Sequence, residues 1–152
     1  NTIKEIDESV RDYYIAAARE VADMFTKNVP LISFEEVDAT EKIDEIYMPI
    51  HFSAMLTGQT SWYPEWSQLN IRGPPNGSIS EEWIPYLIAH EMNRGIGMVA
   101  YESPYIEDVA YRSSGMRDDA NMPLEVSSRE KKYYTFVLED MHPGFRMRDY
   151  GK

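Results

Sequence analysis

The residues best suited to chemistry in this 152-residue chain are His90 and Glu91, in the stretch His90-Glu91-Met92-Asn93-Arg94-Gly95-Ile96-Gly97-Met98-Val99-Ala100. A catalytic zinc takes three protein ligands and a water, and a helix can supply two of them by placing histidines at i and i+4 on one face. A Glu beside the first ligand takes the proton from zinc-bound water, and a Gly beyond the second lets the chain turn to bring a third. Here His90, Glu91 and Gly97 stand at the first-ligand, general-base and turn positions, while the other two ligand positions hold Arg94 and Ala100. Arg keeps its proton in a protein and Ala has no donor atom. A single imidazole binds metal weakly, and without metal Glu91 has no activated water to deprotonate. No zinc-peptidase activity is expected, and Glu91 is an idle base.

Leu87-Ile88-Ala89-His90-Glu91 with Ile96-Gly97-Met98 resembles the active-site helix of the metzincin metallopeptidases, and most of all the astacin-like branch. That branch follows its third His with a Glu and a short polar segment, and here Ala100 precedes Tyr101-Glu102-Ser103-Pro104. It also carries a Met-turn, to which Glu139-Asp140-Met141-His142-Pro143 is similar in content and distance; Pro143 stands where the family has a metal-approaching Tyr. The resemblance implies a zincin fold, with Gly97 and Met141 in structural roles, His90 as the retained ligand position, and Arg94, Ala100 and Pro143 as degenerate ones. It also places Glu102, Trp62, Tyr63 and Trp66 near a substrate cleft. Arg94, on the same helical face as Glu91, can pair with Glu91 or Glu102 in place of the lost cation.

The elements that must position these residues can be read from periodicity. Val10, Tyr14, Ala17, Val21 and Phe25 recur at helical spacing and predict an amphipathic helix from about 8 to 27. Alternation predicts strands at Ile32 to Val37 and Ile46 to Ser53, the second with a free edge because of Pro49, and a third at Gln68 to Arg72. Between the last two lies a Trp-containing loop. Ser80, followed by Glu81 and Glu82, caps a second helix that stops at Gly95 or Gly97. A loop-rich stretch follows to about Pro123, then a helix or extended segment near Arg129 to Leu138. These elements give an α+β layout, one domain over residues 1–152 with a single sheet packed by two helices; the resemblance implies its zincin-like form, a twisted, mostly parallel mixed sheet packed by two long helices with a loop-rich C-terminal part.

A formal net charge of −11 disfavours phosphate backbones and anionic membrane surfaces, so neither nucleic acid nor membrane is an expected partner. No cysteine is present, which excludes disulfides and thiolate metal sites. Asn76-Gly77-Ser78 matches the N-glycosylation acceptor pattern and leans towards secretion, while a chain opening at Asn1 fits a processed or a trimmed one. His51 and His142 read as surface or structural histidines, Glu107-Asp108 and Asp118-Asp119 as solvated loop acids, and the nine methionines as core filler. The Trp62 to Trp66 stretch either packs the sheet or offers rings to a ligand.

The expected function is that of a catalytically silent, metallopeptidase-like domain that binds a protein, peptide or carbohydrate in its cleft without a cofactor. The alternatives are an active zinc metalloendopeptidase with His90 and two unconventional ligands, and an acidic interaction protein unrelated to peptidases.

Overall fold

Tyr14, Ala17, Val21, Met24 and Phe25 are all buried, while Asp12, Arg19, Glu20, Asp23 and Lys27 are exposed. This one-sided burial is what holds a helix in a folded chain. The computed structural model describes the backbone of residues 8–37, 50–53, 58–63, 66–72, 81–96, 103–105, 107–109 and 124–140, with side chains for 12–37, 82–96, 103–105, 107–109 and 124–139. Helix α1 spans Glu8–Asn28, close to the predicted range. Its C-terminus is closed by the Asn28 side-chain amide, which donates to the Met24 carbonyl at 2.8 Å, and by the Val29 N–H on the Phe25 carbonyl at 2.8 Å. Pro30 has no N–H to carry the helix further.

Residues 31–37 then return alongside α1. Arg19 grips Glu36 through two hydrogen bonds of 2.7 and 2.8 Å, and the Phe34 ring lies 6.1 Å from that of Phe25. The predicted strand at 32–37 is not one: the segment has no ladder partner among the described residues. Its alternation is nevertheless real, with Ile32 and Phe34 half-buried against the core and Ser33 and Glu35 exposed. A period of two reports which side of an extended chain faces apolar surface, and here that surface is helical.

Three strands are described by their backbone: β1 Ile50–Ser53, β2 Gly58–Tyr63 and β3 Trp66–Arg72, in the order β1-β3-β2. β1 runs parallel to β3, from Ile50 opposite Leu69 to Ser53 opposite Arg72. β2 runs antiparallel, from Gly58 opposite Ile71 to Tyr63 opposite Trp66. Residues 46–49 of the predicted strand lie outside the described residues, and β1 takes an edge of this sheet. The predicted Trp-containing loop is corrected, since Trp62 and Tyr63 belong to β2 and Trp66 opens β3. The Gly58-Gln59-Thr60-Ser61 start of β2 has no apolar alternation to announce a strand. Pairing along β3 makes it one.

Helix α2, Ile84–Gly95, follows a single 3₁₀ turn at Glu81–Trp83. It starts later than a Ser80 cap implies, because Pro85 falls in the first helical positions, where its missing N–H costs nothing. Every residue from Tyr86 to Asn93 is buried. α2 meets that demand by lying between α1 on one side and β2 and β3 on the other. It ends at Gly95, with the Ile96 N–H on the Met92 carbonyl at 3.0 Å; Ile96, the capping residue, has φ −83°, and Gly97, the other expected stop, lies outside the described residues.

Helix α3, Ser128–Thr135, settles the choice between helix and extended chain near Arg129, and it widens into a π turn at Phe136–Asp140. Ser127 and Glu130 form a reciprocal capping box: the Glu130 N–H donates to Ser127 Oγ and the Ser127 N–H to Glu130 Oε2, both at 3.1 Å. Ser127→Ala is expected to cost about 1 kcal/mol, read as a shift of the urea midpoint with an unchanged m-value; no shift would remove the cap from the account of why α3 starts there. Tyr134 carries α3 into the core, its ring edge-on to Phe25 at 6.1 Å and its hydroxyl donating to Asn93 Oδ1.

The expected zincin-like α+β fold, with a twisted, mostly parallel mixed sheet packed by two long helices, is therefore corrected. The part of the chain whose side chains are described is 68% helical and holds no strand. Its core is helix on helix, α1, α2 and α3 meeting at Phe25, Leu87 and Tyr134. The sheet has one parallel and one antiparallel pair, and the C-terminal part holds a capped helix. The physical reason lies in α2, which is buried from Tyr86 to Asn93 and packs against α1 as well as β2 and β3, where a helix lying on a sheet alone would leave one face to water.

Candidate functional site

His90 and Glu91 lie in the middle of α2, 3% and 2% exposed. His90 Nδ1 is 3.2 Å from the Val109 carbonyl. A carbonyl only accepts, so this bond places the proton on Nδ1. Arg94 is half-buried near the end of the same helix, three residues beyond Glu91. Glu102, its other expected partner, lies outside the described residues, as do Gly97, Ala100, Met141, Pro143, His142 and Asn76. Trp62, Tyr63 and Trp66 are placed by their backbone at the β2–β3 end of the sheet, Tyr63 opposite Trp66. The structure thus brings His90, Glu91 and Arg94 together on α2, with β2 and β3 packed against that helix.

Glu107-Asp108 and Asp118-Asp119 read from sequence as solvated acids; Glu107 is exposed, Asp118 and Asp119 lie outside the described residues, and the structure corrects the reading for Asp108. Asp108 is 0% exposed. Arg129 donates to it from Nε to Oδ2 and from Nη2 to Oδ1, both at 3.0 Å, and from Nη2 to Glu107 Oε1 at 2.7 Å. Ser103 Oγ donates to Asp108 Oδ2 at 2.5 Å and accepts from the Tyr105 N–H at 3.1 Å. The Asp108 N–H closes the turn on the Tyr105 carbonyl at 3.1 Å, and the Arg129 guanidinium lies 3.8 Å from the centre of the Tyr105 ring.

Burial pushes the Asp108 carboxyl up, but hydrogen bonds from Arg129, Ser103 and Ser127 outweigh it and hold the group below the ordinary aspartate range. Glu107 is also lowered, first by its own backbone N–H and then by Arg129. The signal available in the sequence was Ser127-Ser128-Arg129-Glu130, a capping box with an Arg at its start. Its partner acids, some twenty residues upstream, carry no local pattern.

The chemistry that a zinc site requires does not fit these donors. Arg94 holds the i+4 position on α2, and no group of three or more His, Cys, Asp or Glu placed to hold a metal occurs among the described residues. No helix among the described residues is long and apolar enough to cross a membrane. No protein-family model, no curated protein and no solved structure matches the chain.

Proposed function

We propose that the chain is a non-catalytic binding domain in which the metzincin-like His90-Glu91 pair serves the core of the fold. The observation that carries this reading is the burial of both side chains within α2, with His90 turned onto the Val109 carbonyl. A general base has to reach the proton it removes, directly or through one water. A carboxylate 2% exposed inside a helical core is placed to support packing. Contact with a partner then falls to the chain surface and to Trp62, Tyr63 and Trp66 at the β2–β3 end of the sheet. With a net charge of −11, a cationic peptide or protein segment is the partner that long-range electrostatics would steer towards it.

The test is zinc content after equilibration with zinc and dialysis, together with cleavage of an unstructured polypeptide such as denatured casein. The expected result is substoichiometric zinc and no cleavage. One zinc per chain, with cleavage abolished by Glu91→Gln, would overturn the reading. That outcome would restore the second reading, a zinc metalloendopeptidase with two unconventional ligands. One observation favours it: with Nδ1 donating to the Val109 carbonyl, the neutral imidazole of His90 carries its lone pair on Nε2, the tautomer a ligand needs.

A further inference from the structure

We propose that Asp108 and Arg129 form a positioning latch for His90, holding Asp108 and Val109 against the start of α3 so that the Val109 carbonyl fixes the His90 imidazole in one tautomer and one orientation. This concerns how His90 is held and stands whether or not the chain is catalytic. Each link is a contact between adjacent groups. Arg129, in the first turn of α3, spans both oxygens of the Asp108 carboxylate at 3.0 Å. Such a two-point fork fixes direction as well as distance. Asp108 is further held by Ser103, five residues back in the chain, and its N–H closes a turn on the Tyr105 carbonyl, while Arg129 and the Ser127 hydroxyl tie it to the start of α3. The next residue is Val109, buried at 1% exposure, whose carbonyl meets His90 Nδ1 at 3.2 Å. With Nδ1 unprotonated, its lone pair would face the carbonyl oxygen inside the core. The position of that oxygen therefore selects the tautomer, and Asp108 sets the position.

A simpler reading is that burial of the Val109 side chain alone places the carbonyl, and the experiment separates the two. Histidine side-chain nitrogen-15 spectra are recorded on the full chain carrying His51→Gln and His142→Gln, so that the remaining signals belong to His90. The latch predicts a single Nδ1-protonated tautomer with Arg129 intact. Arg129→Gln is expected to give a mixture of tautomers with an unchanged far-ultraviolet circular dichroism spectrum. Arg129→Lys, which keeps the charge and loses the fork, is expected to fall between them. Arg19→Gln, which cuts the ion pair to Glu36, is expected to leave His90 unmoved. A folded Arg129→Gln chain with the undisturbed Nδ1-protonated signal overturns the latch, as does an Nε2-protonated His90 with Arg129 intact. Should Arg129→Gln not fold, Ser103→Ala and Arg129→Lys decide by the same two readings.

Discussion

Phe25→Ala is expected to destabilise the chain by about 3–5 kcal/mol, the usual cost of removing a fully packed aromatic ring. Phe25 is 0% exposed and sits where three segments meet. Its ring touches Tyr134 of α3 edge-on at 6.1 Å and 90°, and Phe34 of the returning segment at 6.1 Å and 54°. Removing it leaves a cavity that the surrounding helices cannot close without also displacing Tyr134, whose hydroxyl is committed to Asn93. For a chain of this size each kcal/mol lowers the melting temperature by about 2–4 °C. A fall of roughly 10 °C, followed by circular dichroism, is therefore expected. A loss under about 1 kcal/mol would mean that α1 and α3 do not share a core, since a partly exposed ring loses little on truncation.

Asp108→Asn is expected to cost about 2–3 kcal/mol at neutral pH, because the amide keeps the shape of the carboxylate while turning one acceptor into a donor that faces Arg129 or Ser103. The loss has a defined pH window. The folded-state carboxyl lies below the ordinary value of 3.8 because Arg129, Ser103 and Ser127 overcome the penalty of burial. A depressed carboxyl contributes stability that is fully present above the unfolded pKa and is lost as pH falls through the folded one. The difference in urea midpoint between the native chain and Asp108→Asn should thus be flat from neutral pH down to about 4, and shrink below it. A difference that shrinks between pH 7 and 5 would mean that the Asp108 carboxyl is raised, with burial winning over its hydrogen bonds.

Local pattern made much of the helical skeleton readable. Tyr14, Ala17, Val21 and Phe25 repeat at the helical period, and α1 has nearly the limits they imply. The stretch after Ser80-Glu81-Glu82 likewise read as a helix, although its first turn is 3₁₀ and the helix proper begins at Ile84. Other features could not be read from neighbours in the chain. Ile32 and Phe34 alternate like a strand yet pack on a helix, because alternation records burial and is silent about hydrogen-bond partners. The start of β2 is polar and is a strand only because β3 pairs with it.

The candidate site divides in the same way. The sequence alone determines which groups α2 carries: His90, Glu91 and Arg94 at spacings that put them on one stretch of helix, with Arg where a zinc ligand would be needed. Donor chemistry is a property of residue type, so that much requires no fold. Only the tertiary structure decides that His90 and Glu91 are buried where α2 meets its neighbours, that Val109 supplies the carbonyl to His90, and that Asp108 is a buried anion gripped by Arg129. Burial and charge pairing depend on groups far apart in the chain, nineteen residues for His90 and Val109 and twenty-one for Asp108 and Arg129. Exposure of a charge to water, or its removal from it, is settled only when those distant segments meet.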